Sequence, residues 1–109
     1  MKSMNRVQLI GYLGRDPEIR ELQNGSSMAC LNLATSHWKL HSEKERELVT
    51  SWHKIRVWGK ERVDGIRTLI KGSHVLVTGQ IVYREYPNKE GKTTYVTEIH
   101  AYLLVDLDR

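Results

Sequence analysis

A chain of 109 residues, 28% charged and 39% hydrophobic, holds one domain with a small core and has neither a disordered nor a membrane-spanning composition. Its net charge of +4 and pI near 9.3 suit a nucleic-acid partner without requiring one. The single Cys30 excludes an internal disulfide and fits a reducing cytoplasm, no apolar run is long enough to cross a bilayer, and patterned sequence directly after Met1–Met4 leaves no place for a signal peptide.

Asn5–Leu13 places Val7, Leu9 and Leu13 at alternate positions and is expected to form a strand, with Gly11 and Gly14 at a bulge or tight bend. Arg15-Asp16-Pro17 is a connection, because the residue before proline avoids the helical region. Ile19, Glu21 and Gln23 suit a short extended piece, and Asn24-Gly25 is a hairpin turn signal. Ser27–His37 reads as a second long strand with Ala29, Leu31 and Leu33 on one face and Met28, Cys30, Asn32 and Ala34 on the other. Trp38–Thr50, rich in both charge signs, reads as a polar, solvated loop.

Ser51–Lys60 is the most informative stretch. As a strand it puts Trp52, Lys54, Arg56 and Trp58 on one face and His53, Ile55 and Val57 on the other. Two flat rings flanking two cations are what sequence-tolerant stacking of bases and neutralising of phosphates requires. The alternative for this stretch alone is an amphipathic strand with buried tryptophans and solvated cations. Lys60–Lys71 carries Val63, Ile66, Leu69 and Ile70 on one helical face, with Glu61 and Asp64 opening the helix and Gly72 as its C-cap. Ser73–Glu85 alternates Val75, Val77, Gly79, Ile81 and Tyr83, so that Tyr83 leans inward. A hairpin loop around Pro87, Asn88 and Gly91 leads to a last strand, Tyr95–Val105. Three strands, one helix and two strands point to an all-β, closed five-stranded barrel with the helix between strands three and four, one domain over residues 1–109 with the barrel over about 5–105.

Several separated motifs carry a family resemblance. Asn5–Arg20, Asn24-Gly25, Leu33–Ser36, Trp52-His53, Trp58–Lys60, Lys71–Ser73 and Gly79-Gln80 resemble, in order and spacing, those of bacterial single-stranded DNA-binding proteins. The resemblance implies that this barrel is a five-stranded OB-fold Greek-key barrel, non-enzymatic and without cofactor or metal. It implies a protein that binds single-stranded DNA without strong sequence preference, coating and protecting it in the cytoplasm, at the nucleoid, during replication, recombination and repair. It implies base stacking on Trp52, Trp58 and Tyr86, and on Trp38, which stands one residue earlier than in the pattern. It also implies a homotetramer, or at least a dimer, with His53 at the subunit interface. The family's long tail with an acidic tip has no counterpart before Arg109, so tail-mediated repair and replication partners are not expected for this chain.

Lys54, Arg56, Arg84, Lys60 and Arg15 are the candidate backbone-holding cations, with Lys2, Arg6, Lys39 and Lys92 as further phosphate contacts. Tyr12, Tyr83, Tyr95 and Tyr102 read as packing residues. His37 and His41, four apart, lack a third ligand for a metal-dependent hydrolase. Two alternatives to single-stranded DNA binding stay open: a primosome-type OB-fold accessory that docks proteins, and an RNA-binding OB domain, since stacking does not read the 2′-hydroxyl.

Overall fold

The computed structural model describes residues 2–108. Its elements are β1 (Val7–Leu13), β2 (Glu18–Glu21), β3 (Ser27–Leu40), β4 (Arg46–Trp58), α1 (Lys60–Asp64), β5 (His74–Pro87) and β6 (Thr93–Asp106). The strands pair in the order β1-β5-β6-β4-β3-β2, and a further β1–β3 pairing at Tyr12–Ala34 and Leu13–Leu33 closes the five long strands into a barrel. All pairings are antiparallel except β4 with β6. β2 is a short flap on β3, turned at Asn24-Gly25. This is the OB barrel expected, with the helix after the third long strand.

Alternation places the core. Leu13, Ala29, Leu31, Leu33, Ile55, Val57, Val75, Val77, Ile99 and Ala101 point inward and are buried. Closure depends on Gly11, because a Cβ there would lie 2.1 Å from the Ala34 carbonyl oxygen on β3. The bend expected after β1 lies at Gly14-Arg15, with no register shift at Gly11, and the β5–β6 register shifts at Thr78/Gly79.

Three expectations are corrected. The Lys60–Lys71 helix ends at Asp64, and three-residue turns follow, with Ile66 N donating to Val63 O and Leu69 N to Ile66 O, each at 3.1 Å. A repeat of three aligns Val63, Ile66 and Leu69 against the barrel and leaves Ile70 in solvent. Asp64 therefore closes the helix and pairs with Arg67 at 2.8 Å, and Gly65 takes the cap expected of Gly72. The Trp38–Thr50 loop is mostly a two-stranded arm: His37 faces Val49, Trp38 faces Leu48, Lys39 faces Glu47, and only His41–Glu45 turn. Both faces of this arm meet solvent, so no apolar alternation marks it in the sequence. Tyr83 keeps the parity of Val75 but lies on the β5–β6 arm beyond the barrel, so it is exposed, as are Tyr12, Tyr95 and Tyr102.

Candidate nucleic-acid interface

Register alone assembles one face. Along β3 and β4 the opposed pairs Met28–Trp58, Cys30–Arg56, Asn32–Lys54, Ala34–Trp52, Ser36–Thr50, Trp38–Leu48 and Leu40–Arg46 share it. On β6, His100 pairs with Arg56 and brings Glu98 onto the same face; on β5, Arg84 and Tyr86 follow by alternation from Val82, which faces Glu98. Trp38, Trp52, Trp58 and Tyr86 thus lie on one surface, 54%, 61%, 41% and 39% exposed, while Ile55 and Val57 are buried behind it. The alternative of buried tryptophans on β4 is excluded.

Each ring is held differently. Trp52 lies over Gly14: a Cβ there would be 2.4 Å from Cζ3 and 2.7 Å from Cη2 of the indole. Gly14 begins the bend expected of it, and its missing side chain is also the seat of the ring. Trp38 carries the Arg46 guanidinium 4.5 Å from its ring centroid. Trp58 lies beside the His100 imidazole at 6.3 Å, tilted by 58°. Tyr86 has the Arg84 guanidinium 5.9 Å from its centroid.

The cations divide into two kinds. Lys54, Lys60 and Arg15 make no ion pair among the described residues, and Arg15, Lys54 and Arg56 line one shallow depression with Arg20 and Cys30. Arg56 and Arg84 instead converge on Glu98. Arg56 Nε donates to Glu98 Oε2 at 2.7 Å and Arg84 Nη2 donates to the same oxygen at 3.1 Å, while His100 Nε2 is 3.2 Å from Oε1. Burial of Glu98 pushes its carboxyl pKa up, but hydrogen bonds from Arg84, His100 and Arg56, with the Arg56 charge, outweigh burial and hold it at about 2. The carboxylate stays ionised under all ordinary conditions. Nothing in the sequence around Glu98 marks it; only the β5–β6 register brings it beside Arg84.

His53 points away from Trp52 and Trp58, with Nε2 2.8 Å from Thr35 Oγ1, and burial lowers its pKa below the ordinary 6.5. β4 and β6 pair only at Ile55–Val57 and then diverge, leaving a groove lined by Trp52, Lys54, Tyr95 and Thr97, so Tyr95 borders the face rather than packing the core. Among the described residues no three His, Cys, Asp or Glu side chains are grouped to hold a metal, and no helix is long and apolar enough to cross a membrane.

A closed OB barrel whose aromatics and cations share one face is the geometry on which comparison with known proteins bears. The model of the single-strand binding protein family matches residues 4–105. The chain belongs to that family. Among solved structures it is similar to the single-strand binding protein of Plasmodium falciparum, determined in complex with single-stranded DNA: 33% identity over 99% of this chain and 98% of that one, with a TM-score of 0.89. It is also similar to a deletion mutant of the single-stranded DNA-binding protein from Thermus aquaticus, with 26% identity and a TM-score of 0.82, covering 95% of this chain and half of that one. Membership of the single-strand binding protein family accounts for the barrel.

Proposed function

We infer that this chain is a non-enzymatic protein that binds single-stranded DNA without strong sequence preference, coating and protecting it during replication, recombination and repair. The observation that carries this reading is the register that sets Trp38, Trp52, Trp58 and Tyr86 on one exposed face with cations between them. Bases stack on the four rings. Lys54, Arg15 and Lys60 neutralise phosphates by charge, and Arg56 and Arg84 hold the backbone by directed N–H donors. Stacking needs only a π face, which every base has, so affinity is spread over sequences. A duplex buries those faces in its own stack and competes poorly.

Self-association is part of the proposal. His53 lies on the side away from the rings. A separate apolar row, Ile10 beside Leu76 beside Val105, is continuous across β1, β5 and β6 and is flanked by Tyr12 stacked on His74 at 4.5 Å. Such a row is suited to a second copy of the chain, as dimer or tetramer. The proposed setting is the cytoplasmic nucleoid, where the unpaired Cys30 thiol is stable.

The test is alanine replacement of each ring in turn, with affinity for a labelled oligothymidylate read by anisotropy. Loss of one platform is expected to weaken binding by roughly ten-fold, in line with about 1–3 kcal/mol per stacked base. Four variants binding like the parent would refute the proposal.

A further inference from the structure

Glu98 is out of place on a phosphate-binding surface. It is 1% exposed, ionised, and set among the residues that meet DNA on the reading above, on which this inference rests. A buried carboxylate survives only with strong partners, and here all are on the interface: Arg56, Arg84 and His100. Arg84 continues to Tyr86 and His100 to Trp58, so a single carboxylate connects two of the four stacking rings. Arg56 also donates through Nη1 to Met28 Sδ at 3.2 Å. Its Nη2, and Nε and Nη1 of Arg84, have no partner among the described residues.

We propose that Glu98 is a positioning residue for DNA binding: it fixes Arg56 and Arg84 as one anchored pair whose remaining N–H donors grip a phosphate between Trp58 and Tyr86, while it neutralises part of their charge. Two consequences follow. The pair binds by geometry, because a guanidinium held at one edge presents its others without losing rotamer freedom on contact. The pair also releases few counterions, because its field is already met by a carboxylate, whereas Lys54 carries a full unpaired charge. Arg56 and Lys54 neighbour each other on one strand, yet removing them should change binding in different ways.

The experiment measures affinity for a labelled oligothymidylate across a salt series, for the parent, Lys54→Ala, Arg56→Ala, Glu98→Gln, Glu98→Asp and the Glu98→Gln/Arg56→Ala double variant. In the parent background Lys54→Ala should flatten the slope of log affinity against log salt by about 0.7, the single-strand value per contact. Arg56→Ala should lower affinity several-fold while flattening the slope by less than half as much. Glu98→Gln should steepen the slope and weaken binding at high salt, and in that background Arg56→Ala should flatten the slope as much as Lys54→Ala does in the parent. Glu98→Asp, which keeps the charge, should keep the parental slope. Equal flattening by Lys54→Ala and Arg56→Ala in the parent would overturn the proposal, and that comparison needs no Glu98 variant to fold. So would a Glu98→Gln protein that melts lower but keeps the parental slope, the result expected of a purely structural carboxylate. Failure of the parent itself to bind the oligothymidylate would refute the interface reading instead, and is seen before any variant is compared.

Discussion

Replacing Gly14 by alanine tests the interface at a residue that need not touch DNA. The added methyl would lie 2.4 Å from Cζ3 of Trp52, against ordinary contacts that begin near 3.4 Å, so the indole must move by about 1 Å. It has somewhere to go, since Trp52 is 61% exposed, and Gly14 has no positive φ to forbid alanine. The fold should therefore survive. Gly→Ala gains about 0.4–1 kcal/mol through the unfolded chain, which offsets part of the lost ring contact. The melting temperature should stay within about 5 °C of the parent. Binding should suffer, because a base on Trp52 contributes about 1–3 kcal/mol and stacking depends on ring position. A displaced ring should weaken oligothymidylate binding by roughly five-fold or more, up to the loss given by Trp52→Ala. The assay is anisotropy on Gly14→Ala, Trp52→Ala and the double variant. Because both act through one ring, the double variant should bind like Trp52→Ala alone. Additive losses, or a Gly14→Ala protein that binds like the parent, would refute the view that Gly14 seats the Trp52 platform.

Glu98 is held at about 2 against an ordinary 4.5, so the stability it contributes is fully present above pH about 4.5 and is lost as pH falls towards 2. The loss is roughly 3 kcal/mol, and acid unfolding followed by circular dichroism should be shallower in that window for Glu98→Gln. Arg46→Ala removes the cation from Trp38, a contact of about 0.5–1 kcal/mol at an exposed site. It should lower affinity by no more than about five-fold at low salt, and an unchanged isotherm would show that Arg46 does not hold the ring for stacking. Light scattering at micromolar concentration should give a dimer or tetramer, with Ile10→Asp shifting it towards monomer; a monomeric parent would contradict the self-association proposed for the apolar row.

The barrel and the β4 face were legible because alternation survives wherever one side of a strand is buried. Trp52, Lys54, Arg56 and Trp58 are split from His53, Ile55 and Val57 as their spacing requires. The β3–β4 arm was not legible for the converse reason: around Trp38 and Leu48 both faces meet solvent, so the pattern carries no period and reads as loop. The β5–β6 strands were legible, but beyond the barrel both their faces meet solvent, so the parity of Tyr83 did not bury it. The helix was overextended because Val63, Ile66 and Leu69 fit a repeat of three as well as one of 3.6. Glu98 and Gly14 escaped because their roles depend on partners 42, 14 and 38 positions away, which only strand register brings together.

The central claim is that the tryptophans lie open on the face that takes a single strand. Its most direct measurement is intrinsic tryptophan fluorescence, titrated in parallel with an oligothymidylate, the matching duplex and the equivalent oligouridylate. Stacking quenches an indole, so saturable quenching by the single DNA strand is expected, with little by the duplex at the same concentration. The RNA arm sets the preference between the two single strands. No quenching by the oligothymidylate, or equal quenching by the duplex, would contradict the account.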